Sequence, residues 1–209
     1  MPPGASAMPR PDHCSRYEES RDKALELFAL KGFGQVSMRE LATHLGLTAG
    51  SLYHHFPSKQ QLLFDLIEEL FEELQAALVL GKRRLPAGRD LRRALIQAHW
   101  NLHRERPLQF RLAERDLCCL SDTQQAHIGR LRGQYEQRLL ELIAPDAQLG
   151  TPASTAAGHA IATLLNSLPD WLGDSPLTEA QRLTLMEDMV LGAVERTMAS
   201  GLYRQPAQA

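Results

Sequence analysis

An all-α fold of about nine helices follows from three features of this 209-residue sequence. Apolar residues recur near 3.6-residue spacing over long segments, most segments begin at a Ser, Thr or Asp and stop at a Gly or Pro, and no stretch alternates with period two as a half-buried strand would. Hydrophobic residues make up 44% and charged residues 23%, ordinary values for a chain that folds around a core, which excludes wholesale disorder. Two short helices followed by long ones predict a small module joined to a larger helical bundle.

Residues 1–14, "MPPGASAMPRPDHC", are rich in proline, lack periodicity and read as a flexible arm. From Ser15 the pattern turns helical, with Tyr17, Ala24, Leu27, Phe28 and Leu30 repeating until Gly32 ends the helix after Lys31. Ser37 is placed to cap a short helix, "MRELATHL", and Glu40 three residues on completes a capping-box pattern. Gly46 then supplies the positive φ at which such a helix stops. Thr48 caps a second short helix, "AGSLYHHF", which halts before Pro57.

Ser58 opens a long helix in which Leu62, Leu63, Leu66, Ile67, Leu70, Phe71, Leu74 and Leu78 form one stripe opposite a row of carboxylates, ending near Gly81. "GKRRLPAG" reads as a loop. Further helices are expected from about Asp90 to Arg104, from Pro107 through Leu120, and from Ser121 and Asp122 to about Ile143. After the turn-rich "APDAQLGTP" come two more, from about Ala153 to Leu172 and from about Thr178 to Ser200, separated by "GDSPL".

Residues 37–56 therefore hold two capped short helices joined at Gly46, the layout of a helix-turn-helix whose second helix enters the major groove. Leu41, Ala42, Leu45, Leu47 and Leu52 supply its small core. The tip of the second helix, Thr48-Ala49-Gly50-Ser51, carries only small side chains, so its backbone amides and hydroxyls can approach phosphate. In "LYHHF", Leu52 and Phe56 share one face and belong to the core. Tyr53 and His54 lie off that face, and His55 is read as packing or capping. Adjacent helical histidines diverge by about 100° and have no third ligand nearby, so no metal site is expected there.

"KGFGQVSMRELATHLGLTAGSLYHHFPSKQQLL" resembles the DNA-binding domain of TetR/AcrR-family transcriptional regulators. The resemblance rests on the Gly-Phe-Gly turn, the Ser-Met-Arg-Glu-Leu-Ala helix start, Gly46, Ser51-Leu52-Tyr53, Phe56 and Lys59, and spans about residues 15–75. It implies a helix-turn-helix domain over 15–60 and a ligand-binding and dimerisation domain over 61–203. By the same resemblance Arg39, Ala49 and Gly50 fall where base edges are approached, and Ser37, Thr48, Ser51, Tyr53, His54 and Lys59 where the phosphate backbone is held. From the residues alone, Arg39 reads equally as a surface ion-pair partner, and Ser37 and Thr48 as simple caps.

The larger half exceeds what DNA reading needs, and a bundle of that size can present a dimer face and enclose a pocket. Ala160, Leu164, Leu168 and Trp171 stripe one of the last two helices; Leu183, Met186, Val190, Ala193 and Val194 stripe the other. The resemblance makes these the dimer face, while each stripe reads equally as internal core. Trp100, Phe110, Tyr135, Asn166 and Trp171 are candidates to line a ligand cavity, again with core packing as the alternative. "ERDLCCLSDTQQAHIGRLRGQYEQRLLEL" and "LLNSLPDW" loosely resemble the members of the family that sense acyl-CoA thioesters.

The expected protein is thus a dimeric regulator, most simply a repressor, that binds a pseudo-palindromic double-stranded DNA operator and is released by a small, largely apolar effector. An adaptor whose bundle makes only protein contacts is the alternative. No catalytic triad, phosphate loop or paired acid–base motif marks an enzyme, and no cofactor is expected. His99 and His103 have metal-ligand spacing but lack an accompanying Glu motif, so no metal is expected there either. Three cysteines, at 14, 118 and 119, make no disulfide framework, and Cys118-Cys119 reads as a pair of small buried hydrophobes. With neither an apolar leader nor a run long enough to span a bilayer, a cytoplasmic location is expected.

Overall fold

The computed structural model describes residues 12–83, 90–145 and 150–199, and these form nine α-helices with no strand among them. In chain order the helices are α1 (Asp12–Lys31), α2 (Met38–His44), α3 (Ala49–His55), α4 (Lys59–Arg83), α5 (Leu91–Glu105), α6 (Pro107–Arg115), α7 (Asp122–Ile143), α8 (Pro152–Gly173) and α9 (Glu179–Ala199). Most of the proline-rich arm, the centre of the "GKRRLPAG" loop, part of the link after α7 and the last ten residues lie outside the described residues, as does the side chain of Cys14.

The short helices start and stop where local chemistry dictates. Ser37 Oγ accepts the Glu40 amide at 3.2 Å, and Thr48 Oγ1 accepts the Ser51 amide at 3.2 Å, each satisfying an otherwise orphaned donor. The capping box expected at Ser37 is only half formed, because the Glu40 carboxylate turns away to pair with Lys31. Gly46 sits at φ 67°, which lets the Leu47 amide reach back to the Ala42 carbonyl at 2.9 Å and close α2. Phe28, Leu41, Leu52 and Phe56 are fully buried beneath α2 and α3, and Tyr17 stacks on Phe56 with ring centroids 5.3 Å apart.

The carboxylate-lined stripe of α4 is buried along its length, from Leu62 to Leu78, and joins the small module to the bundle. α4 packs on α5, α6 and α7; α7 packs on α8, and α8 on α9. The helix expected from Pro107 through Leu120 is shorter. It leaves α geometry at Asp116, whose carboxylate takes the Arg115 guanidinium at 2.7 Å, and continues as a 3-10 turn over Leu117–Cys119. Pro169 lies inside α8 and deprives the Leu165 carbonyl of its helical donor. Among the described residues no helix is long and apolar enough to cross a membrane.

Candidate DNA-binding face and effector cavity

The tip of α3 stands clear of the fold. Thr48, Ala49 and Gly50 are exposed, Ser51 is half-buried, and a Cβ built on Gly50 would meet nothing within 4 Å. Tyr53 is 54% exposed although large and aromatic, and His54 lies open beside it. His55, expected to pack or cap, is exposed too: α3 ends on it, and Phe56 turns inward instead. Arg39 is exposed on α2, and no ion pair holds its guanidinium among the described residues. The neighbouring Glu40 is taken by Lys31, which lowers the Glu40 carboxyl below its usual range.

Lys59, expected where the phosphate backbone is held, makes contacts within the module. Its ammonium donates to the Phe33 and Val36 carbonyls at 2.9 and 2.7 Å and sits 4.3 Å over the Phe33 ring. It clamps the Gly32–Val36 turn onto the start of α4, adding a second donor to the Phe33 carbonyl, which already accepts the Val36 amide, and taking up the Val36 carbonyl. The charge still stands at the N-terminus of α4, but two of its three donors are engaged.

In the bundle, α4, α6, α7 and α8 enclose a cavity of about 230 Å³. Leu70, Phe71 and Leu74 of α4 and Phe110 and Ala113 of α6 make its apolar wall. Tyr135, Glu136, Asn166, His159, Arg132 and Glu114 bring polar groups to it. Of the residues predicted to line a cavity, Phe110, Tyr135 and Asn166 meet here. Trp100 does not: it is buried in α5 but lies outside the lining, with its indole N–H unpartnered. Trp171 is a correction of a different kind, since it is 74% exposed on α8 and cannot line an internal cavity.

Polar order behind the wall centres on His99, which touches the lining residues Tyr135 and Phe110. Its Nδ1 meets the Tyr135 hydroxyl at 2.7 Å, while its buried Nε2 has no hydrogen-bond partner. Burial, helped by the neighbouring His103, pushes the His99 imidazole down to about 3, so it is neutral and shares a single hydrogen bond with the Tyr135 hydroxyl. Tyr135 is raised in turn by its own burial and stays protonated. The spacing of His99 and His103 thus serves hydrogen bonding and packing on Phe110, and no cluster of three metal-ligating side chains occurs among the described residues.

Sequence reasoning missed Arg132, Glu136 and His159, which sit on polar helix faces that look solvated. Glu136 is nearly buried and holds His159 at 2.9 Å and Arg132 at 3.7 Å. The available signal was Gly158 in mid-helix: a Cβ there would stand 3.2 Å from the Glu136 carbonyl, so glycine permits the close α7–α8 approach that forms this edge of the cavity.

One element connects the cavity and the helix-turn-helix module. α6 lines the cavity with Phe110, Ala113 and Glu114, and Arg115 at its end donates to the Phe28 and Ala29 carbonyls at 2.8 and 3.2 Å, gripping the C-terminus of α1. Gln60, at the start of α4, donates to the Cys119 carbonyl at 2.8 Å from the same side.

A helix-turn-helix module carried on a helical bundle with an internal cavity defines the class. Residues 21–66 match the family model described as "Bacterial regulatory proteins, tetR family". The transcriptional repressor KstR2 of Mycolicibacterium smegmatis is 35% identical over 68 residues, which cover 31% of this chain and 33% of that protein. The chain thus aligns with only about a third of the length of the curated relatives it matches. The fold match is wider. PfmR of Thermus thermophilus superposes with a TM-score of 0.68 at 24% identity, over 83% of this chain and 97% of that one. AibR, solved with isovaleryl coenzyme A and operator DNA, gives 0.69 at 21% identity over the same shares. The N-terminal part of the chain thus carries a helix-turn-helix domain of the TetR family.

Proposed function

We propose that the protein is a ligand-responsive transcriptional regulator, a repressor that binds a pseudo-palindromic operator as a homodimer and leaves it when a small, largely apolar effector fills the cavity. The observation that carries this reading is α6, which contributes to the cavity wall and holds the α1 carbonyls of the DNA-binding module through Arg115. An effector that pushes α6 outward moves the module on which α3 is mounted. Affinity then shifts by as much as the effector prefers one arrangement over the other.

The DNA face consists of Thr48, Ala49, Gly50, Ser51, Tyr53 and His54 with Arg39 and Ser37 beside them. Arg39 is free to reach a guanine edge, while the α3 hydroxyls and amides hold phosphate. Lys59 acts mainly by fixing the turn beneath α4 and adds its field at that helix start.

The dimer face is the outer side of α8 and α9. Trp171, Leu185 and Met189 are 74%, 39% and 45% exposed there, while Leu168, Met186, Val190 and Val194 are consumed inside the chain. AibR binds isovaleryl coenzyme A, and the apolar wall with Arg132 and His159 at its edge is compatible with an acyl thioester whose polar part remains outside. Selecting bound fragments from genomic DNA and titrating the complex with short-chain acyl-CoAs tests the proposal. A shared palindrome and effector-dependent release support it, whereas equal affinity for selected and scrambled duplexes refutes it.

A further inference from the structure

The strongest feature outside the cavity and the DNA face is the 3-10 turn Leu117–Cys119, where the chain passes from the end of α6 toward α7. The sequence reads Cys118-Cys119 as a buried pair, yet Cys118 is exposed and Cys119 half-buried. The two thiols stand on consecutive residues, and the Cys118 thiol donates to the Arg115 carbonyl at 3.9 Å. The turn that presents them is fixed: the Cys119 amide donates to the Asp116 carbonyl at 2.9 Å, Gln60 holds the Cys119 carbonyl at 2.8 Å, and Gln125 holds the Leu120 carbonyl at 2.8 Å. Two consecutive thiols, one exposed and one half-buried, are thus presented by a turn whose backbone is hydrogen-bonded in place.

Three chemistries compete for such a pair. Oxidation to a disulfide is disfavoured by geometry, because consecutive Cα atoms lie about 3.8 Å apart and an unstrained disulfide needs at least about 4.4 Å. Burial also pushes the Cys119 thiol up, so little of it is the thiolate that peroxides attack. A metal ion bound wholly by protein would need further donors, and no group of three His, Cys, Asp or Glu that could hold one occurs among the described residues. A thiophilic centre that brings its own substituent needs only two sulfurs, and inserting an atom between them relieves the short span that opposes a direct S–S bond.

We propose that Cys118 and Cys119 form a vicinal-dithiol site for trivalent mono-organoarsenicals. In the reaction two S–H bonds and the arsenic–oxygen double bond of an R–As=O species are broken, two As–S bonds form, and both thiol protons leave with the oxygen as water. Arsenic stays trivalent, the sulfurs stay at the thiol level, and no oxidant or reductant is consumed. The third arsenic valence remains on its carbon.

The test is intact-mass spectrometry of the reduced full-length protein after brief exposure to phenylarsine oxide and desalting. The wild type and Cys14→Ser should each retain one C6H5As unit per chain, displaced by excess dithiothreitol. Cys118→Ser and Cys119→Ser, shown to be folded by unchanged melting, should lose it. Absence of the adduct in the wild type, or its persistence in both single variants, overturns the assignment. Neither readout depends on DNA binding.

Discussion

Acid should destabilise this protein through one buried imidazole, and the size of the effect follows from where His99 sits. Its pKa in the fold is pushed down to about 3, against an ordinary value near 6.5 in the unfolded chain. Between those values the unfolded state binds a proton that the native state refuses. Stability is therefore fully present above about pH 6.5 and falls as the pH drops toward 3, at up to about 1.4 kcal/mol per pH unit. From about pH 7 to about pH 5 this amounts to about 2 kcal/mol. His99→Gln keeps a group that can take the Tyr135 proton but cannot titrate. Urea unfolding of both proteins at the two pH values isolates the term, because His103, also depressed by burial, remains in each. The wild type should lose about 2 kcal/mol more than the variant on acidification. Equal losses would refute the claim that His99 is buried and neutral.

Three further outcomes are expected. Arg115→Gln removes charged donors to the α1 carbonyls in a half-exposed setting, so melting should indicate a loss of about 1 kcal/mol, and effector-dependent release of DNA should weaken; full release with native stability would remove α6 from the coupling route. Met189→Glu, at an exposed apolar position of α9, should turn a dimer into a monomer in sedimentation without lowering the monomer's helicity, and an unchanged dimer would place the interface elsewhere. Arg39→Ala should relax preference at one operator position, a change of about 1–3 kcal/mol measured by competition between single-base variants; a uniform loss across all variants would make Arg39 a phosphate contact.

Most of the fold was legible because caps and periodicity are local. Ser37, Gly46, Thr48 and Ser58 mark their helices by chemistry that acts within four residues, and the α4 stripe needs only one buried face to be recognised. What escaped depends on contacts between distant segments. Nothing near Arg115 signals that it will reach carbonyls of α1, nor near Lys59 that two carbonyls of the preceding turn will take its donors. Trp171 shows the limit from the other side, since an aromatic on an apolar stripe is written identically whether it faces a cavity or an outer surface. The outer stripe and the inner stripe of α8 differ only in register, and the fold alone assigns Leu168 inward and Trp171 outward. In the same way, "CC" between apolar neighbours suggests burial, and only the break of α6 at Asp116 brings Cys118 to the surface.

The central claim is that the tip of α3 meets DNA, and Gly50→Glu tests it most directly. Gly50 has helical rather than left-handed backbone, and a Cβ there has open space, so the substitution leaves the fold intact. It sets a carboxylate where phosphate and base edges would approach. Fluorescence anisotropy with the selected operator duplex should show a loss of about a hundredfold or more, near 3 kcal/mol, with melting and dimerisation unchanged. Wild-type affinity in a natively folded Gly50→Glu protein would contradict the account.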